Sequence, residues 1–195
     1  MEKDLQREDW LRAARRALLR GGIGAVRVEK LARSLRVTKG SFYWHFRDRA
    51  DLLELLLREW ENEMAEILPR LGSGPASQRL MALVRELEQR ARLSEEGAVP
   101  SDAAIFAWAS VDPRVARRVN KADAERFRML ARLGRRELME LFYLVWLGFV
   151  ARGQRVPESR RRFPKIARAL LKLFPARPSG RPKPQRTALG VPASR

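Results

Sequence analysis

Apolar positions recur at helical spacing almost throughout this chain. Trp10, Ala14, Ala17 and Leu18 fall at i, i+4, i+7 and i+8, one face of an amphipathic helix that Gly21-Gly22 ends. Leu31, Ala32 and Leu35 form the buried face of a short second helix over about Val28 to Leu35. Thr38 is a good N-cap for a third, over about Lys39 to Phe46. Asp48 then caps a long fourth helix, with Asp51 adding an acid to the favourable first turn, and this helix should stop at Leu68, before Pro69.

The segment Leu71-Gly-Ser-Gly-Pro75 reads as a turn, and a helix from about Pro75 to Leu93 follows it. Ser101 is a candidate cap for the next, which ends near Ser110. Asp112-Pro113, an N-cap with proline at the first helical position, opens a long helix to about Leu133. Residues Glu137 to Arg152 form a helix apolar on nearly every face. A last helix lies within Ser159 to Phe174, where Pro164 should either open it or break it. No segment has strand periodicity, so the fold class is all-α. The punctuation divides the chain into a three-helix unit over residues 1–48, a helical body over 49–174, and a tail over 175–195. The tail, rich in Pro, Arg, Ser and Gly with no apolar face, is expected to be disordered.

Charge changes the picture. The formal net charge is +18, and it is unevenly placed. Residues 1–50 carry 13 Lys/Arg against 6 Asp/Glu, residues 51–151 carry 15 against 16, and residues 152–195 carry 13 against 1. A neutral middle between basic ends points to a polyanionic partner, nucleic acid or an anionic membrane surface. The mostly apolar run of 13 residues from Leu138 to Val150 falls short of the roughly 20 that a membrane span needs. MEKDLQRED is charged and lacks the apolar core of a secretory signal, and cysteine is absent, so a cytoplasmic location without disulfides is expected. His45 is the single histidine. With no thiol and one imidazole, nucleophile–base pairs and metal sites lack raw material, and no catalytic activity, metal or cofactor is expected.

The segment VEKLARSLRVTKGSFYWHF, residues 28–46, reads as two short helices joined by a tight turn. In a helix-turn-helix the first helix braces the unit, and the second presents its N-terminal residues to base edges in the major groove. Leu31, Ala32, Leu35, Val37, Phe42 and Phe46 supply the packing face. Lys39, Gly40, Ser41, Tyr43, Trp44 and His45 are left to face outward. Gly40 allows close approach to DNA, Lys39 is suited to guanine O6 and N7, and Tyr43 and His45 to phosphates.

Residues 8–60 resemble the DNA-binding domain of the TetR (tetracycline-repressor-like) family. The run Val37-Thr38-Lys39-Gly40-Ser41-Phe42-Tyr43-Trp44-His45-Phe46, followed by Arg49, Leu52 and Leu53, carries the resemblance, and Asp112-Pro113-Arg114-Val115 opening a long helix adds to it. The resemblance implies base contacts mainly from Lys39, Gly40 and Tyr43, and phosphate contacts from Thr38, Trp44, His45 and Arg49, the last where the family usually has lysine. It further implies an Ω-shaped homodimer whose last two helices pair in a four-helix bundle, with a small-molecule pocket inside helices 4 to 8. Trp60, Met81, Phe106, Trp108 and Phe127 fall on helices that would line that pocket, although aromatic residues at helical spacing are also ordinary core. Two positions depart from the family. Arg36 stands where the turn usually has glycine, and a left-handed conformation there costs a side chain about 1 kcal/mol. Arg27 stands where a Ser or Thr often caps the second helix.

The apolar block at 138–150 admits a membrane segment, a monomer core or a dimer interface. Length and Glu140 disfavour the first. A helix apolar all round needs cover on both sides, which favours the third. The interface would comprise Leu141, Leu144, Val145, Gly148 and Phe149, with Ile166 and Leu170 from the last helix. The leading function is therefore a homodimeric transcriptional regulator, a repressor by expectation, that binds a palindromic double-stranded operator and responds to an unknown small-molecule effector. The alternative is a constitutive, nucleoid-associated DNA-binding protein without an effector.

Overall fold

The structure, a computed structural model, describes residues 5–71, 73–98, 101–153, 156 and 158–173. Among these the apolar periodicity resolves into nine α-helices and a single 3-10 turn at Ile23–Ala25, without a strand. The expected tail at 175–195 lies outside the described residues.

The first helices follow the sequence pattern. Helix α1 (Arg7–Gly21) begins where Asp9 Oδ2 accepts from the Gln6 amide at 2.9 Å, and ends where the Gly22 amide donates to the Leu18 carbonyl at 2.9 Å. Helix α2 (Val28–Leu35) has no side-chain cap at Arg27, whose Nε instead donates to the Gly24 carbonyl at 3.1 Å. It closes through Arg36, which stands at φ 61°, ψ 41° and is, among the described residues, the non-glycine in the left-handed region. The Val37 amide donates to the Ala32 carbonyl there at 3.0 Å, so the left-handed residue satisfies the helix end at a steric cost to its own side chain.

Helix α3 is shorter than the spacing predicts: Gly40–Tyr43 rather than Lys39–Phe46. The His45 and Phe46 amides both donate to the Phe42 carbonyl, each at 3.0 Å, which tightens the chain out of the helix and brings Phe46 beneath Phe42. The Thr38 hydroxyl does not cap α3; the Thr38 carbonyl accepts the first bond, from Ser41, at 3.3 Å. Asp48 does cap α4 (Arg49–Arg70), its Oδ1 accepting from the Asp51 amide at 2.8 Å. That helix runs past Pro69, which this close to the end forfeits only one hydrogen bond.

Helix α5 (Ala76–Glu96) extends beyond Leu93 and is closed by Gly97 at φ 76°, with the Ala98 amide donating to the Leu93 carbonyl at 2.9 Å. Helix α6 (Asp102–Ala109) starts without help from the Ser101 hydroxyl, contrary to expectation. Helix α7 (Pro113–Ala131) starts as the sequence indicates, Asp112 Oδ1 accepting from the Arg114 and Val115 amides at 2.9 and 3.4 Å. Arg118 fastens α7 to α4, forking onto both oxygens of Glu61 at 2.8 and 2.7 Å and reaching Glu54 at 2.6 Å. Helix α8 spans Arg136–Gly153 and α9 Glu158–Leu173. Pro164 neither opens nor breaks α9: it lies buried inside it beside Phe163 and Ala167, whose packing under α8 holds the helix together across the missing amide.

Two hydrophobic cores result. The first joins α1 to α3 with the front half of α4, through Trp60, and with Ile105, Trp108, Val115, Val119 and Ala122 of α6 and α7. The second joins the rear of α4 from Ile67 with α5, the rear of α7 from Leu130, and α8 and α9. Helices α4 and α7 each contribute to both cores in turn, because both are long enough to reach from one to the other.

Replacing Arg36 by glycine should raise stability by about 1 kcal/mol, the cost of holding a side chain in the left-handed region. Thermal denaturation of the two proteins reads the difference; an unchanged or lower midpoint would show that the Arg36 side chain compensates for its strain.

Candidate DNA-binding surface and a buried charged cavity

Phe42 organises the short helix-turn-helix. It has no exposed surface and meets Trp10 edge-on at 5.2 Å, stacks on Phe46 at 5.1 Å, and receives the edge of Tyr43 at 5.4 Å. With its inner face sealed this way, the same turn must present its other residues outward. Thr38, Lys39 and Gly40 are exposed, Tyr43 is 55% exposed and Trp44 88% exposed, while Ser41 and His45 are half-buried. Two large aromatic rings left in solvent beside a lysine are poor packing and a good surface for DNA.

Gly40 carries further information. A methyl group there would meet only Thr38 Oγ1, at an ordinary 3.6 Å, and the backbone is helical. The fold therefore does not require glycine at this position, and glycine in a helix costs about 0.5 to 1 kcal/mol relative to alanine. The exposed backbone at Gly40 is open to close approach from outside the chain. Lys39 is held 3.6 Å from Glu29, both side chains well exposed, so the pair is weak and leaves Lys39 free to exchange partners. The Glu29 carboxyl is lowered from its ordinary value by a backbone hydrogen bond and by Lys39. Arg49, expected among the phosphate contacts, is engaged within the chain. Its Nε donates to the Val26 carbonyl at 2.5 Å and its Nη2 to the Ile23 carbonyl at 2.8 Å, which staples the start of α4 to the 3-10 turn. No pattern in the sequence marks that role, since those carbonyls belong to a turn that has no side-chain signature.

A second site lies at the seam of the two cores. Asp102, at the first position of α6, is buried and surrounded by donors: Trp60 Nε1 at 2.7 Å and Arg126 Nη1 at 2.9 Å on Oδ1, with Arg90 Nε at 3.5 Å from Oδ2. Arg126 also donates to the Trp60 carbonyl at 2.9 Å and lies 3.9 Å over the Trp60 ring. Arg90 pairs in addition with Glu63. Burial alone would raise the Asp102 pKa, but Arg90, Arg126 and the indole outweigh it, so the carboxyl is held below its ordinary value and stays ionised. Burial lowers the Arg90 pKa against the pull of Asp102. Beside them the Tyr143 hydroxyl donates to Asp123, and burial first, then that carboxylate, raise the phenol well above its ordinary value.

This charged group forms one wall of a narrow cleft that is partly open to solvent. The remaining wall is apolar and aromatic, with Ile67, Leu83, Leu87, Leu130, Phe142, Tyr143 and Trp146. The five residues expected to line a pocket, Trp60, Met81, Phe106, Trp108 and Phe127, are not among those around this cleft. Trp60 lies behind the charge cluster, with Phe106 edge-on to it at 6.0 Å. Trp108 is buried in the first core, Phe127 packs on Tyr143 at 5.9 Å, and Met81 is half-buried outside the lining. Periodicity alone cannot say which side of a helix meets a void and which a neighbour. Among the described residues no helix is long and apolar enough to cross a membrane, and no group of His, Cys, Asp or Glu is placed to hold a metal ion.

An all-helical chain with an exposed helix-turn-helix surface has the architecture of a DNA-binding regulator. Residues 11–56 match the family of bacterial regulatory proteins called tetR, so this segment is similar to the DNA-binding domain of that family. The fold agrees over most of its length with two solved structures. One, from a Rhodococcus species and described as a TetR-family transcriptional regulator, superposes with a TM-score of 0.65 at 20% identity, covering 86% of this chain and 97% of its own. The other, from Saccharomonospora viridis, is described as a transcriptional regulator in complex with choline; it gives a TM-score of 0.62 at 18% identity, covering 85% of this chain and 95% of its own. No curated protein matches the chain.

Gly40→Ala should therefore separate stability from function. The melting temperature should stay level or rise, in line with the gain of about 0.5 to 1 kcal/mol for alanine in a helix, while affinity for DNA falls. Paired melting and fluorescence-anisotropy measurements check it, and undiminished DNA affinity would remove Gly40 from the interface.

Proposed function

We propose that the chain is a homodimeric repressor that binds a palindromic operator through Thr38, Lys39, Gly40, Ser41, Tyr43, Trp44 and His45 and is released by a small organic effector. The observation that carries the effector is the cavity itself: an apolar, aromatic chamber with a charged wall built from α4, α5, α6 and α7. Pockets of that composition, mostly apolar with a few convergent polar groups, are what small-molecule sites look like. The helix α4 that supplies Glu63 and Ile67 to it begins directly behind the helix-turn-helix. Choline, which the Saccharomonospora protein holds, is the natural first compound, since the rings of Phe142, Tyr143 and Trp146 suit an organic cation.

One experiment tests operator and effector together. The full chain is used to select duplexes from a random-sequence pool. A regulator should then bind the selected palindrome roughly 10³ to 10⁷-fold more tightly than random duplex. Comparable affinity for both would favour the constitutive, nucleoid-type alternative, which the +18 charge also supports. Choline is then titrated into the protein and its DNA complex. A rise in melting temperature with loss of bound duplex supports this effector class; neither change would remove choline-like cations from it.

The dimer rests on α8 and α9. Helix α8 buries Leu138, Met139, Phe142, Tyr143 and Trp146 inside the chain, and leaves Leu144 58% exposed and Leu141 40% exposed. Val145 is half-buried, and Gly148 would accept a methyl group without meeting anything within 4 Å. These four fall at i, i+3, i+4 and i+7, one stripe of the helix, and Ile166 and Leu170 of α9 with Phe149 border it. A second copy of the chain covers such a stripe by two-fold symmetry. Leu144→Glu should halve the mass seen by light scattering while circular dichroism stays helical; an unchanged dimer would place the interface elsewhere.

A further inference from the structure

Among the described residues, Arg15 is the most heavily engaged side chain between the DNA-binding domain and the helical body. It lies on α1, is 5% exposed, and uses its donors on three different elements. Its Nε and Nη2 both reach Glu59 Oε2 on α4, at 3.2 and 2.7 Å. Its Nη1 reaches Glu8 at 2.6 Å and, at 3.3 Å, the carbonyl of Gly97, the residue that closes α5. The two distant partners are not arbitrary places on their helices. Glu59 immediately precedes Trp60, whose indole holds Asp102, and stands one turn before Glu63. Gly97 follows Arg90 by seven residues, two turns along the same face of α5, and Arg90 holds both Asp102 and Glu63.

The contact at Gly97 is also without slack. A Cβ there would stand 2.7 Å from Arg16 Cγ and 3.0 Å from the Arg12 carbonyl, so the end of α5 rests directly on the backbone of α1. Close-packed contacts transmit displacement rather than absorb it. Any occupant of the cavity that moves Arg90 or Trp60 must therefore shift either the end of α5 or the Glu59 turn of α4, and both bear on α1.

Resting on the effector reading above, we propose that Arg15 is the joint through which the state of the cavity sets the position of the DNA-binding domain. It is a positioning residue: it touches neither DNA nor the cavity, and it ties α1 to the two helices that carry the cavity's charged wall. On this account the effector acts by rearranging the Asp102 cluster, and the domain follows because Arg15 fixes α1 to α4 and α5 at once.

A double-mutant cycle on the full chain tests the joint. Trp60→Phe removes the indole donor to Asp102 and keeps an aromatic ring; Arg15→Lys keeps the charge and loses the fork. The affinity of the four proteins for the selected duplex is read beside their melting temperatures. Trp60→Phe should change DNA affinity by about five-fold or more when Arg15 is present, the lower range of allosteric coupling. In the Arg15→Lys background, the same substitution should change it by less than about two-fold, within ordinary additivity. A merely structural Arg15 would lower the melting temperature and leave the two effects on DNA binding additive. Equal effects in both backgrounds, or no effect of Trp60→Phe in a folded protein, would overturn the proposal. Glu63→Gln, which leaves Asp102 and its donors in place, repeats the cycle should Trp60→Phe fail to fold. No ligand enters this cycle, so it is separable from the choline titration. Coupling without any stabilising ligand would retire the effector and keep the joint; additivity would retire the joint and keep the effector.

Discussion

A buried carboxylate governs the arrangement of the helical body. Asp102 sits where the first core ends and the second begins, and an ionised group there is tolerable only if its donors are placed correctly. Those donors come from three other helices, Trp60 from α4, Arg90 from α5 and Arg126 from α7. Satisfying one charge thus fixes four helices relative to each other. Breaking such a group by removing one member costs about 3 to 5 kcal/mol, because a charge is left buried and unpaired. Apolar contacts alone would allow those helices to slide. The cluster admits few arrangements, a property suited to a switch.

The DNA-binding surface follows the opposite logic. Phe42 takes the core side of the recognition turn completely, and everything else on that turn is relieved of packing duties. The exposed residues are then chosen by something other than stability. Glycine stands in a helix where alanine would fit, and an indole stands almost wholly in water. The turn before it carries a left-handed arginine where glycine would be less strained. Local choices that work against folding gather around this one surface, as they do at functional sites.

Most of the architecture is legible in the chain itself. Helical spacing, the stop signal at Gly22 and the start signals at Asp48 and Asp112-Pro113 place these helix ends within a few residues, since capping and periodicity are local physics. The outward set on the recognition turn is legible for the same reason: once Phe42 and Phe46 take the core face, the positions between them have nowhere else to point. Even the left-handed strain at Arg36 follows from a side chain occupying a helix terminus that needs positive φ.

What needs the tertiary structure is every property that depends on which residue lies opposite. Sequence periodicity treats Trp60 and Phe106 as pocket candidates as readily as Phe142 and Trp146, because spacing defines a face but not what stands against it. The hydrogen bonds from Arg49 to the Val26 and Ile23 carbonyls, 23 and 26 residues away along the chain, leave no mark in the spacing. Pro164 reads as a start or a break until Phe163 and Ala167 are found packed on either side of it. Asp102 carries no signal of its own in the sequence, and Arg15 is one basic residue among many. Their roles arise from partners as far as 82 residues distant along the chain. Local physics writes helices and turns into a sequence, but a buried charge acquires its meaning only from the groups that folding brings around it.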